Sequence, residues 1–177
     1  GFRVGFGFTF DNCNQIQVTY SQLDATTNDA IAATGTNVIR GLTLHPDSLN
    51  AGSNWLDANA NGNVRFQLID IDYRGLVSCC SDYQVGYLVG VRYARFEQFF
   101  NANYANVGVE TVTAGVDFDG VGMRFGMDFE RYGRNNQWFV FGKGYASFIG
   151  GRFETDYLQS NQGDPVIAQT GWEGGRV

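Results

Sequence analysis

Residues 83–97 show the cleanest alternation in the chain. Tyr83, Val85, Tyr87, Val89, Val91 and Tyr93 fall on one side of an extended chain, and Gln84, Gly86, Leu88, Gly90, Arg92 and Ala94 fall on the other. A two-residue repeat is the period of a β-strand; wound into a helix, the same residues would scatter around its circumference. Residues 1–10 repeat the pattern, with Phe2, Val4, Phe6, Phe8 and Phe10 opposed to Arg3, Gly5, Gly7 and Thr9. Residues 121–130 do so again, with Val121, Met123, Phe125, Met127 and Phe129 opposed to Gly122, Arg124, Gly126, Asp128 and Glu130. The predicted fold class is all-β.

Turn residues divide the chain into six expected strands. The first two are residues 1–10 and 15–23, joined by the polar turn Asp11, Asn12, Cys13, Asn14. Residues 24–63, rich in Asn, Ala, Thr and Gly and containing Pro46, read as one long external loop, with strand extensions within 31–44. The third strand is residues 64–74. Its apolar parity changes from Val64, Phe66 and Leu68 to Ile69, Ile71 and Tyr73, which suggests a bulge near 68–70. After a turn over 75–82 and the strand over 83–97, residues 99–108 read as a loop. A fifth strand runs over 109–130, bent near Asp119 and Gly120, and a sixth over 138–153. Residues 156–177 read as loop, with a strand start at 166–169. Short connections then follow the odd strands and long ones the even strands. An up-and-down barrel in an outer membrane has that asymmetry.

Composition supports strands and narrows the function. The chain holds 24 Gly and 2 Pro among 177 residues, and only 17% of its residues are charged. No apolar run reaches the roughly 18 residues of a transmembrane helix, which leaves a strand-built membrane protein open. The net charge of −6 argues against a nucleic-acid partner. His45 is the only histidine, so a His-based metal site or a Ser-His-Asp triad has no material. Ser21 and Ser147 lie near no histidine, and no enzyme activity or cofactor is expected. Asp117, Asp119 and Gly120 resemble the start of a Ca²⁺ loop but lack its later ligands, and Gly142, Lys143 and Gly144 lack the spacing of a phosphate loop. A soluble barrel turns its large apolar side chains inward, whereas a transmembrane barrel turns them to lipid. Here the opposite face alternates glycine with charge, as a wet or ion-paired lumen requires. The expectation is an antiparallel up-and-down transmembrane β-barrel. It forms a single domain over residues 1–177, with at least six strands visible and eight or more expected for a complete barrel. The chain starts at Gly1, as a mature or trimmed form does.

Four stretches carry a resemblance. They are GFRVGFGFTFDN from Gly1, VGVRYARFEQ from Val89, FDGVGMRFGMDFERYG from Phe118 and FVFGKGYASFIGGRF from Phe139. In this order, over about a third of the chain, they resemble the pore-forming outer-membrane proteins related to the Legionella major outer-membrane protein, which are also abundant in planctomycetes. The resemblance implies a bacterial outer-membrane location, a transmembrane barrel and pore formation. Members are usually longer, with strands on both sides of this window, and six strands would not close at normal tilt.

If the apolar face meets lipid, the strand charges point inward. Arg3, Asp70, Asp72, Arg92, Arg124, Asp128 and Glu130 are then candidates for a pore lining that sets ion preference, or for an interior ion-pair network that fills a narrow barrel. Cys13, Cys79 and Cys80 are expected in short turns at one end, where a compartment that permits disulfides would allow Cys13 to bridge to either of the others and leave one thiol for a neighbouring chain. Disulfide cross-linking is also what the resemblance implies. Tyr83, Tyr87, Tyr93, Tyr132 and Trp138 suit either interfacial girdles or ordinary strand packing. The expected function is passive diffusion of small hydrophilic solutes. The alternatives are a structural or adhesive barrel with a closed lumen, and a soluble barrel of an extracellular assembly. The expected partners are outer-membrane lipid, the solutes, and homo-oligomeric or disulfide-linked neighbours.

Overall fold

A computed structural model describes residues 1–11, 13–44, 53–79, 83–106, 108–133, 138–161 and 164–175. Their strands are β1 (Phe2–Thr9), β2 (Asn14–Ala32), β3 (Asp57–Cys79), β4 (Tyr83–Ala105), β5 (Val109–Tyr132), β6 (Phe139–Asn161) and β7 (Asp164–Gly174). They form one sheet in chain order, every neighbouring pair antiparallel. β1 and β7 are the edges and are not paired with each other among the described residues. This is the wall of an up-and-down barrel, open along one seam.

The sheet has no second layer, yet one of its faces is buried. Thr19, Asp70, Asp72, Ala94, Val112, Arg124 and Gln159 are all buried, and the strand registers put all of them on the same face. Val112 lies under the connection between β2 and β3, but around Thr19, Asp70, Asp72, Ala94 and Arg124 the sheet shields the face by curling around it, so this face is concave. The other face carries Phe6, Phe148, Met127 and Val121 at 75%, 73%, 64% and 62% exposure. Apolar-out is therefore the observed arrangement.

The registers turn this convex face into rows. Three successive rows read Phe8–Ile16–Tyr73–Val89–Phe125–Ala146, Phe6–Val18–Ile71–Val91–Met123–Phe148 and Val4–Tyr20–Ile69–Tyr93–Val121–Gly150. The next two, moving away from the β1–β2 turn, are charged: Gln67–Arg95–Asp119–Arg152 and Asp24–Arg65–Glu97–Asp117–Glu154–Glu173. Beyond them stand amides and hydroxyls, Asn28–Asn61–Asn101–Thr113 and Asn59–Asn103–Thr111. These side chains are linked across strands: Asn61 donates to Asn28, Asn101 to Thr113 at 3.1 Å, Asn103 to Asn59 at 2.9 Å and Thr111 to Asn103 at 2.8 Å.

That ladder corrects the expected loops. Only residues 33–56 connect β2 to β3, because strand pairing continues through Asp24–Ala32 and Asp57–Asn63 rather than stopping for a loop over 24–63. The expected loop over 99–108 is strand as far as Ala105, and the expected loop over 156–177 is the end of β6 plus β7. The asymmetry of the sheet thus lies in strand length, not in three long loops. β5 is a single strand with continuous register past Asp119 and Gly120. No bulge occurs at 68–70; the register slips instead between Leu76 and Ser78. The parity change at Leu68 reflects surroundings, not backbone. The apolar band ends at Ile69, and beyond it the outward positions are Gln67, Arg65 and Asn63 while Leu68, Phe66 and Val64 face inward.

Candidate functional site

Four of the expected charges meet on the concave face. β3 contributes Asp70 and Asp72, β4 Arg92 and β5 Arg124. Arg92 grips Asp70 with two parallel bonds, Nε to Oδ1 at 2.6 Å and Nη2 to Oδ2 at 2.9 Å. Arg124 Nη1 donates to Asp70 Oδ2 at 2.8 Å and to Asp72 Oδ2 at 2.7 Å. Asp70 and Asp72 are each 1% exposed and Arg124 4%. The Tyr145 ring lies under the Arg124 guanidinium, 4.9 Å from its centroid to Cζ, which adds a cation–π contact.

The register explains how an arginine on β5 reaches a carboxylate on β3. Asp72, Gly90 and Arg124 stand in one row, and Asp70, Arg92 and Gly122 in the next. Gly90 leaves the strand between them bare, so the Arg124 side chain crosses β4 over it. A Cβ at Gly90 would collide with Asp72 Oδ1 and the Ile71 carbonyl. Gly90→Val is therefore expected to destabilise the fold by about 1–3 kcal/mol. Gly115→Val, with open space around its Cβ position, should change little. Urea unfolding of the two variants in detergent checks this; equal midpoints would mean that Arg124 does not depend on the bare crossing.

With two arginines and two aspartates the cluster has no net formal charge. Breaking such a buried set by removing one member is far costlier than the set's net stabilisation. Two of its buried atoms, Asp72 Oδ1 and Arg124 Nε, have no protein partner. Chemically the arrangement can present fixed charge and hydrogen-bonding groups; it offers no nucleophile paired with a base.

The remaining candidates lie elsewhere. Asp128 and Glu130 sit on the concave face nearer the β1–β2 turn. Asp128 occupies the space a side chain at Gly86 would need, and Glu130 lies 3.7 Å from Lys143 Nζ and accepts a bond from the Tyr132 hydroxyl at 2.8 Å. Arg3 on β1 stands opposite Ser21 on β2 and joins neither group among the described residues. Lys143 was weighed from the sequence only as a phosphate-loop lysine and Tyr145 was not singled out, although both fall on the inward parity of β6. Glu110 and Gln159 were missed too. They are 0% exposed, and Gln159 Nε2 donates to Glu110 Oε1.

Cys13 is exposed, with a free thiol, in the β1–β2 turn. Its N–H donates to Asp11 Oδ1 at 2.8 Å, and Asn14 Nδ2 donates to both Asp11 oxygens at 3.1 Å. These bonds, the Asn14 side chain foremost, hold the Asp11 carboxyl below its ordinary range. The Cys13 carbonyl accepts from Leu76 N–H at 3.0 Å, which brings this turn beside the end of β3. Cys79 ends β3 instead of lying in a turn, because pairing with Gln84 carries the strand that far. Its side chain, Cys80, and the residues His45 and Pro46 lie outside the described residues.

The sequence matches, over residues 1–173, the family model described as Legionella pneumophila major outer membrane protein precursor. No curated protein and no solved structure matches it.

Proposed function

The chain belongs to the Legionella major outer membrane protein family, and from that premise we propose that it forms a pore wall through which small hydrophilic solutes diffuse passively across the bacterial outer membrane. The observation that carries this reading is the two-faced sheet, apolar on its convex side and lined with Asp70, Asp72, Arg92 and Arg124 on its concave side. Lipid-facing and lumen-facing residues alternate in this way along the strands of outer-membrane barrels.

The apolar band has the right height. On β5 it runs from Val121 to Phe129, about 27 Å along the strand and about 21 Å along a barrel axis at 40° tilt, against a lipid-facing band of about 25 Å. Tyrosine hydroxyls point out of it at both edges. Tyr20 donates to Gln22 at 3.0 Å and Tyr93 to Asp119 at 2.9 Å on the charged side, and Tyr73 donates to Asn14 at 2.8 Å on the turn side. A ring in the apolar layer with its hydroxyl in the polar one is the behaviour of interfacial tyrosine.

Single-channel current from the detergent-purified protein in a planar bilayer tests the reading. Discrete, reproducible steps are the expected result. A silent bilayer with verified insertion would remove the pore and leave a structural barrel with a closed lumen. The exposed Cys13 is the proposed link between neighbouring chains. Cys13→Ser is expected to abolish reducible dimers on non-reducing gels, and dimers that persist would move the link to Cys79 or Cys80.

A further inference from the structure

The connection from β2 to β3 has only one strand spacing to cover, about 4.8 Å. It travels much farther. Tyr157 on β6 donates its hydroxyl to the Thr43 carbonyl at 3.0 Å, and the Thr43 hydroxyl bonds Tyr104 Oη on β4 at 2.8 Å. From β2 to β6 is four spacings, about 19 Å, so the connection crosses the inner face of β3, β4 and β5.

It is packed there, not draped. Leu44 and Trp55 are buried against Ala102, Tyr104 and Val112, all of which project inward. The rings of Trp55 and Tyr104 lie 5.9 Å apart. Gly41 packs so closely on Leu44 and Tyr104 that a Cβ would lie 2.8 Å from Leu44 Cδ1 and 3.3 Å from Tyr104 Cζ. The two limbs are tied together by reciprocal backbone bonds between Ile39 and Trp55 at 2.9 and 3.1 Å. The returning limb is tied to the wall by Leu56 N–H to the Ala105 carbonyl at 3.0 Å. Leu42, between the buried Gly41 and Leu44, turns away from the wall and is 94% exposed.

We propose that residues 39–44, held against the wall with Trp55, are a fixed constriction inside the mouth of the pore that limits the cross-section of the hydrophilic solutes admitted. This rests on the pore reading above. The pieces that hold it are side chains of three different strands plus an apolar cluster, so it acts as a static sieve. Leu42 is the residue that a passing solute meets.

Two variants test it in planar bilayers, with sugar uptake by proteoliposomes as a second readout. Tyr104→Phe/Tyr157→Phe combined with Leu44→Asp keeps the wall rings, removes both hydroxyl ties and places a carboxylate in the apolar cluster. Trypsin cutting after Arg40 reports release of the segment, and heat-modifiable gel mobility reports an intact barrel. The released, folded protein is expected to pass at least about twofold more current and to admit larger sugars than wild type. Leu42→Glu alters only an exposed tip and is expected to raise cation over anion permeability at least about threefold at low salt. The constriction is overturned if a folded, trypsin-cut variant carries wild-type current, or if Leu42→Glu leaves the permeability ratio unchanged. Silence from wild type with current from the released variant overturns the sieve, since the segment is then a plug that admits no solute. Silence from every inserted variant sinks the pore reading itself, an outcome distinct from steps that ignore the substitutions.

Discussion

Arg124→Ala is expected to cost about 3–5 kcal/mol of stability and to leave whatever folds preferring cations. Arg124 is the shared partner of two carboxylates that are each 1% exposed. Its removal leaves Asp72 without a protein partner among the ion pairs described and changes the cluster from formally neutral to −1. Arg92→Ala should be milder. Asp70 keeps its Arg124 bond in that variant, and the Arg92 side chain is already 20% exposed. Arg124→Ala/Asp72→Asn should recover much of the loss, because the uncompensated charge goes with the second substitution. Urea unfolding in detergent gives the energies and reversal potentials give the ion preference. Full stability in Arg124→Ala would mean that water, not protein, solvates the aspartates.

Met123→Arg, one residue away, is expected to destabilise by about 2–4 kcal/mol for the opposite reason. Met123 lies mid-band on the convex face, between Val91 and Phe148 and 54% exposed, where an added charge meets hydrocarbon. Asn61→Arg, on the same face but in the amide ladder, should stay within about 0.5 kcal/mol of wild type. The contrast measures where lipid begins and ends along the wall. Equal, small costs at both positions would favour a soluble sheet whose convex face meets water.

Met123 stands where the sequence was easiest to read and Asn61 where it was not. Within the band, lipid demands large apolar side chains at every second position, so β4 and β5 announce themselves and the faces follow. Above the band that demand lapses. Asp57, Asn59, Asn61 and Asn63 still alternate with Ala58, Ala60 and Gly62, but the contrast is amide against small, not apolar against polar, and a reading by hydropathy turns strand into loop. The charges of the cluster were legible as inward-facing residues. Their pairing was not, because it depends on the register of three strands and on the bare crossing at Gly90. The inward course of the connection left one trace, the apolar residues Val38, Ile39, Leu42, Leu44, Trp55 and Leu56, and apolar residues in a loop do not say which wall they will meet.

β3 to β6 are 23, 23, 24 and 23 residues long, about twice the 9–11 that a bilayer needs. Tyr104, which anchors the in-folded segment, is twelve residues along β4 from Arg92, about 40 Å of strand and about 30 Å of axis. On the proposed pore reading, a solute arriving from that end would be sorted by girth in a protein-walled antechamber clear of the lipid, and by electrical sign only later, within the bilayer's thickness. Positions so far apart exchange little energy. Sieve and charge filter can therefore drift separately in evolution, each altering admission without retuning the other.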